Sequence, residues 1–349
     1  MDVSVIIPTY NRPKLLRETL ESVVGQEVSP REIIVVDNGT NDETQAMIAA
    51  NFGQIVYLRM PSEGMQAARN LGIERAQGEW IATLDDDDLW RPDFLSHARE
   101  PLADGRANLI YSDHRKFDCT DNGRIPFGRT NFESAPPGYW DGIPRPAKGE
   151  HWCFIGSFPI ERLLRFNPFY PSTMIAKRSL VKKIGCFNPD VRRMKSEDIE
   201  FLSRALPAGQ VAAIWRPLVD YRVHGGNSCG NDLTAQALGR WRIFEFVQSH
   251  GAYGNDRLRA ALEKDLPGRR ARAFDRAWRA SKFEDMDEIR PLLRDSDWTL
   301  SRRLRQAIRL APEPIRSSLM RVRGALPGRH ETNTARSALS PEGVGTTNA

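Results

Sequence analysis

Leu84-Asp85-Asp86-Asp87-Asp88-Leu89-Trp90 gathers four consecutive carboxylates directly after the apolar run Trp80-Ile81-Ala82-Thr83-Leu84. Adjacent Asp side chains repel one another, and a hard divalent cation such as Mg²⁺ or Mn²⁺ relieves that repulsion by taking carboxylate oxygens as ligands. Magnesium held this way keeps one or two carboxylates and fills its shell with water and substrate phosphates, which points toward a nucleotide diphosphate. The plainer alternative is a solvated acidic turn capping the next helix, for which Asp88 and the Pro92-Asp93 pair are suited. Two more polar groups bear on the choice. Thr9 and Asn11 follow the run Val3–Ile7, and Asp37 follows Glu32–Val36. A lone Asp after a strand reads as a helix cap, but three polar sites at one sheet edge read as a nucleotide crevice. The Asp37 carboxylate could accept hydrogen bonds from a base N–H or a ribose hydroxyl.

The first hundred residues must position these groups. Pro13 suits a first helical position, and Leu15, Leu16, Leu20, Val23 and Val24 form one broad apolar face behind it. A helix is expected from about Asp42, a third strand over Gln54–Leu58, and a helix over Glu63–Ala76 punctuated by Gly78. Continuous β-branched runs alternating with helices predict an α/β, Rossmann-like, doubly wound and mostly parallel sheet. No G-x-G-x-x-G follows the first strand and no G-x-x-x-x-G-K-[ST] occurs, so a redox dinucleotide and a P-loop are unsupported.

Taken in order, Ser4-Val5-Ile6-Ile7-Pro8-Thr9-Tyr10-Asn11-Arg12, Val35-Val36-Asp37-Asn38-Gly39-Thr40, Ala68-Arg69-Asn70-Leu71-Gly72-Ile73 and Leu84–Asp88 resemble the motifs of glycosyltransferase family 2. That family has the GT-A fold and inverts the configuration of the sugar it transfers; with later motifs the resemblance covers roughly residues 2–230. It implies a nucleotide-diphospho-sugar donor and Mn²⁺ or Mg²⁺. By the resemblance Asp37, with Asn38 beside it, holds the base, and Pro8, Thr9, Tyr10, Asn11 and Arg12 contact base and diphosphate. Arg69 stands near the nucleotide. Asp85-x-Asp87 matches the family's DxD, with Asp87 as metal ligand and Asp86 or Asp85 on the ribose, although four Asp in a row leave that register open.

After a fifth apolar run, Asn108–Ser112, an irregular segment of about 55 residues carries many aromatics, among them Phe117, Phe127, Phe132, Tyr139, Trp140, Phe158, Phe169 and Tyr170. Two readings stand side by side: a wall on which acceptor sugars stack, and a cluster that packs the loop. A strand is expected over Pro171–Arg178 and a short helix over Arg178–Gly185. Ser196 is placed to cap a helix whose first turn holds Glu197 and Asp198, where the helix dipole favours carboxylates and should keep Asp198 ionised at neutral pH. Glu197-Asp198 resembles the family's ED motif, which implies Asp198 as the base that takes the acceptor proton. Tyr221-Arg222-Val223-His224-Gly225-Gly226-Asn227-Ser228 resembles a further motif, implying His224 as a metal or diphosphate contact beside a glycine-rich closing segment.

From Leu233 the sequence turns helical and polar, and the family motifs stop. The expected organisation is a GT-A domain over residues 1–230, a helical extension over 231–326, and a disordered tail over 327–349. Residues 301–349 hold nine Arg, no Lys and three Glu, a net of +6, against +5 for the whole chain. The body therefore sums to −1, which argues against a nucleic-acid-binding domain. Seven Arg between 302 and 323, with apolar residues at helical spacing broken by Pro312 and Pro314, suit an anionic membrane surface or an ordinary surface helix with snorkelling stems. Four scattered Cys give no zinc signature. No apolar run approaches the ~18–20 residues that span a bilayer, and Met1-Asp2 leads straight into a strand without a basic n-region. The expectation is a cytoplasmic protein, peripheral at most on the inner face of the membrane. Its acceptor would be a hydroxyl of a glycan, a lipid-linked glycan or a small molecule, in surface polysaccharide or glycoconjugate synthesis. Two rivals are a catalytically silent GT-A-like binding or scaffold subunit and a sugar-phosphate nucleotidyltransferase. The latter needs a Gly-rich, Arg/Lys-bearing loop after strand one, where Pro8-Thr9-Tyr10-Asn11 stands.

Overall fold

The computed structural model describes residues 1–120, 123–192, 194–224 and 233–325; the expected glycine-rich closing segment and the tail at 327–349 lie outside them. The first half alternates as its periodicity dictates: β1 (Val3–Thr9), α1 (Pro13–Val24), β2 (Glu32–Asp37), α2 (Glu43–Asn51), β3 (Val56–Arg59), α3 (Met65–Arg75) and β4 (Trp80–Thr83). Pro13 opens α1, whose Leu16, Thr19, Leu20 and Val23 are buried at helical spacing. β1 pairs in parallel with β2 on one side and β4 on the other, in a register that sets Thr9 beside Asp37. Helix α3 lies so close to β1 that a methyl group at Gly72 would stand 2.5 Å from the Ile6 side chain.

The second half departs from a parallel pattern. After β5 (Leu89–Trp90) and α4 (Phe94–Asp104), β6 (Leu109–Thr120) runs well past the expected Ser112. The segment read as irregular contains β7 (Gly123–Phe127) and β8 (Trp152–Gly156), which pair antiparallel with β6 and with β10 (Val211–Val223). The strand expected from Pro171 starts as a 3₁₀ turn, and only β9 (Met174–Lys177) joins the sheet, antiparallel between β4 and β6. The order is β3-β2-β1-β4-β9-β6-β10-β5, a mixed sheet built on a parallel half. The aromatics of the middle segment mostly pack: Phe117, Phe132, Tyr139, Trp140, Phe158 and Phe169 are all buried. Phe127 is exposed.

α5 (Arg178–Lys183) and α6 (Glu197–Ala208) precede β10. The helical extension then consists of α7 (Leu233–Ser249), α8 (Asp256–Arg279), α9 (Phe283–Ile289), α10 (Leu300–Leu310) and α11 (Glu313–Ala325). Its first two helices place Ile243, Phe244, Val247, Leu258, Leu262 and Leu266 in the same core cluster as Ile6, Leu109, Phe201 and Leu202. No helix of the described residues is long and apolar enough to cross a membrane.

Candidate active site

The turn between β4 and β5 is the Asp85–Asp88 run, and all four side chains are largely buried. Burial of that many carboxylates requires partners. Asp85 takes the guanidinium of buried Arg69 at 2.5 Å and the Tyr170 hydroxyl at 3.3 Å. Asp86 accepts from Thr9 Oγ1 at 2.7 Å and from Arg12 at 3.3 Å. Arg12 also reaches Asp87 Oδ2 at 2.9 Å, the oxygen that His224 Nε2 approaches at 2.9 Å. Asp88 is fully buried, accepting from Ser172 Oγ at 2.6 Å and from the Arg222 backbone N–H at 3.1 Å. Asp88 is neither a solvated cap nor open to a ligand; it ties the turn to β10 and to the 3₁₀ turn before β9. Arg222 Nε donates to the Asp87 carbonyl, and Thr19 to that of Asp88, so the backbone of the run is held from two sides.

Arginines and protons therefore relieve much of the repulsion that the sequence assigned to a cation. Burial, with Asp87 beside it, pushes Asp86 up to about 7. Burial also raises Asp88 well above the usual carboxylate range.

A cavity of about 230 Å³ opens over this turn. Arg12, Arg69 and Asp85–Asp87 line one side, and Asn167, Tyr170, Glu197, Asp198 and Arg240 the other. Asp198 sits in the first turn of α6 and accepts from Asn167 Nδ2 at 2.5 Å. Ser196 precedes it at the N-cap position but in the left-handed region, φ 68°, and makes no side-chain cap. The expectation that the helix dipole keeps Asp198 ionised is corrected: desolvation, then the neighbouring Glu197, pushes it up to about 7. Arg240 opposes that rise without cancelling it. The dipole contributes ~0.3–1 kcal/mol, less than the cost of burying a carboxylate charge.

The remaining expected residues lie apart from this cavity. Asp37 is wholly buried, its two oxygens accepting from Gly39 N at 2.8 Å and from the Tyr57 hydroxyl at 2.7 Å. Asn38 orders the entry to α3 by accepting from Glu63 N at 2.8 Å. Asn11, at φ 52°, pairs with Thr40 through two hydrogen bonds, Pro8 is buried in β1, and Tyr10 is 45% exposed. Sequence reasoning passed over Asn167 and Arg240 as site residues and counted Tyr170 only among the aromatics of a possible acceptor wall. None lies in a motif, and they meet Asp85 and Asp198 only through the fold.

Asp87 Oδ2 and His224 Nε2 stand about as far apart as two adjacent ligands of one octahedral ion with bonds of ~2.1 Å. The donor set therefore suits a divalent cation, provided that the Arg12 guanidinium yields the shared oxygen. Among the described residues no third His, Cys, Asp or Glu completes a metal-binding group with them. The other ligands would be water and donor oxygens.

A profile of glycosyl transferase family 2 matches residues 4–161. That N-terminal part of the chain is similar to the family. An uncharacterized glycosyltransferase of Rickettsia typhi is 26% identical over 233 residues, 66% of this chain and 67% of the relative. Another, of Rickettsia conorii, is 42% identical over 247 residues, which are 70% of this chain but 37% of the relative. The matched region spans little more than a third of three of the first four curated relatives. Among solved structures, Staphylococcus aureus TarS (residues 1–349) in complex with UDP-GlcNAc superposes with a TM-score of 0.52 at 18% identity. That match covers 80% of this chain and 73% of TarS. The mannosyltransferase PcManGT from Pyrobaculum calidifontis, with GDP-Man and Mn²⁺, gives 0.50 at 18% identity over 93% and 80%. At these identities the likeness shows the fold, which is the GT-A fold with a helical C-terminal region.

Proposed function

We propose that this chain is a family 2 glycosyltransferase that moves a sugar, with inversion, from a nucleotide-diphospho-sugar to a hydroxyl acceptor in polysaccharide or glycoconjugate synthesis. The observation that carries the reading is the pairing of Asp85–Asp87 and Asp198 across one cavity. Asp85 and Asp86 hold the ribose. Arg12 and the turn after β1 receive the diphosphate, and the Asp37-Asn38 turn shapes the pocket for the base. Asp87 and His224 would hold Mn²⁺ or Mg²⁺, whose charge, when bound, neutralises the diphosphate as it leaves. Asp198 takes the acceptor O–H proton as that oxygen bonds to the anomeric carbon. The bond from that carbon to the diphosphate oxygen breaks on the opposite face, and its electron pair leaves with the nucleoside diphosphate.

The test is Asp198→Asn. It should leave thermal stabilisation by the donor nucleotide unchanged and lower transfer by about 10²–10⁴-fold. Transfer at the parent rate would remove Asp198 as the base.

We also propose peripheral contact of the cytoplasmic protein with an anionic membrane through α10 and α11. Leu300, Leu304 and Leu310 are 85, 59 and 62% exposed, and Ile315 and Leu319 continue the apolar stripe. Arg302 and Arg305 pair with Asp275 and Arg309 with Asp287, so the free face is more apolar than its composition suggests. Leu304→Glu should reduce co-sedimentation with phosphatidylserine vesicles severalfold. Unchanged sedimentation would refute the contact.

A further inference from the structure

Phe166-Asn167-Pro168-Phe169-Tyr170, just ahead of the 3₁₀ turn that leads into β9, is a strap held at nearly every residue. The Phe166 carbonyl accepts from the Tyr139 hydroxyl at 3.0 Å, and the Pro168 carbonyl from Asn131 Nδ2 at 2.9 Å. Phe169 stacks on Tyr111 with ring centroids 4.5 Å apart, and the Tyr170 hydroxyl reaches Asp85 at 3.3 Å. Pro168 also disfavours helical backbone at the residue before it. The main chain at Asn167 is thereby fixed from both sides.

Each end of the Asn167 amide has its own partner. Oδ1 accepts from the Phe169 N–H at 3.0 Å, closing an Asx turn, and Nδ2 donates to Asp198 Oδ2 at 2.5 Å. A donor at one end and a carboxylate at the other fix which way the amide points. An Asp would close the same turn. The turn therefore explains a short acceptor at this position but not the N–H that faces Asp198. Both residues line the cavity over the Asp turn. A donor to a carboxylate favours its charged form, against the desolvation that raises Asp198. Around Asp198 stand Glu197 on its own helix, Arg240 from α7 and Tyr111 from β6, while Arg69 and Asp85 act on Glu197. The bond from Asn167 adds direction to these charges, because it ends on one oxygen and restrains rotation of the carboxylate.

We infer that Asn167 is a positioning residue for the proposed base: its amide favours the charged Asp198 carboxylate and sets the direction in which that carboxylate meets the acceptor hydroxyl. The inference rests on the transferase reading given above.

The test compares Asn167→Ala and Asn167→Asp with the parent, all as the full chain. Asn167→Asp keeps the Asx turn and the side-chain size but replaces the donor by a second carboxylate, and two carboxylates so placed share a proton to higher pH. Carbon-13 labelling of the aspartate carboxyls, with the Asp198 signal assigned by its loss in Asp198→Asn, reads proton binding without turnover. That signal should titrate near 7 in the parent. In Asn167→Ala it should titrate about one pH unit higher, as expected when a charged group loses a hydrogen bond, and in Asn167→Asp at least as high. Turnover is read as nucleoside diphosphate released from UDP-, GDP- and dTDP-linked sugars with Mn²⁺, water standing in for the acceptor. Its rising limb should follow the titration in each variant, and the rate above that limb should fall about tenfold at unchanged donor KM. A purely structural Asn167 predicts a different order, with Asn167→Asp like the parent and only Asn167→Ala impaired. That order, or an Asp198 signal that titrates at the parent's pH in both variants, would overturn the inference. Should Asn167→Ala not fold, Asn167→Asp decides alone. If the parent turns over none of these donors, the transferase reading fails by itself, and the carboxyl titration still decides whether Asn167 acts on Asp198.

Discussion

As the proposed base, Asp198 would have to lose a proton before taking one from an acceptor, and burial makes that loss hard at neutral pH. The charged and titratable groups around it are Glu197 on its own helix, Arg240 from α7 and the buried Tyr111 of β6. With Asp198 raised to about 7, transfer should increase with pH along a limb centred near 7 instead of near 4. Below that point the rate should fall about tenfold per pH unit. Stability runs the other way. A carboxyl that binds its proton more tightly when folded contributes stability at pH below about 4, and that contribution is lost as pH rises through 7. Asp198→Asn should remove this group's share of the slope, measurable as a denaturation midpoint that varies less between pH 4 and 7. This residue also marks how far the sequence reaches. Its place in a helix's first turn was legible from Ser196-Glu197-Asp198. Its protonation was not, because the desolvating wall of Tyr111, Asn167 and Arg240 comes from three distant segments.

Among the elements, those with continuous apolar runs were legible: β1 to β4 and their helices fall within a few residues of expectation. β7 and β8 were missed because their pairing comes from the long strands β6 and β10 and not from their own pattern. Helix α7 carries a further constraint that local propensity does not show. A methyl group at Gly239 would stand 2.4 Å from Lys195 Cβ and 3.0 Å from its carbonyl oxygen. The glycine lets α7 press on the backbone just ahead of Asp198, and the next residue, Arg240, lines the cavity beside it. Gly239→Ala should gain about 1 kcal/mol in helix propensity. It should lose about 1–3 kcal/mol to overpacking against atoms that no rotamer change can move. A net loss is expected, read as a lower urea midpoint at unchanged m, together with weaker transfer.

In the whole molecule, a boundary at residue 230 follows the end of the motifs but not the end of the core. Ending the chain there would uncover the cluster that α7 and α8 cover with six buried apolar side chains. At about 1.5–3 kcal/mol each, their loss is of the order of a domain's entire stability of ~5–15 kcal/mol. A 1–230 fragment should bind a hydrophobic dye and lose its near-ultraviolet circular dichroism, and the full chain should do neither. The motifs mark the Asp85–Asp87 side of the cavity because its polar groups are confined to short segments. On the opposing wall Glu197 and Asp198 were legible and Arg240 was not, because the extension contributes it through packing, with no motif of its own.

The hydrogen bond from the Arg222 backbone to Asp88 spans 134 residues of sequence. On a ribosome adding roughly 5–20 residues per second, the Asp turn emerges about 7–27 seconds before the strand that secures it. Through the first 84 residues of that interval the nascent chain carries an acidic loop with neither Ser172 nor Arg222 in place, and at its end the helices that seal the core are still to be made. The candidate active site is thus among the last parts of the protein to mature, although its most conspicuous residues are among the first to be synthesised.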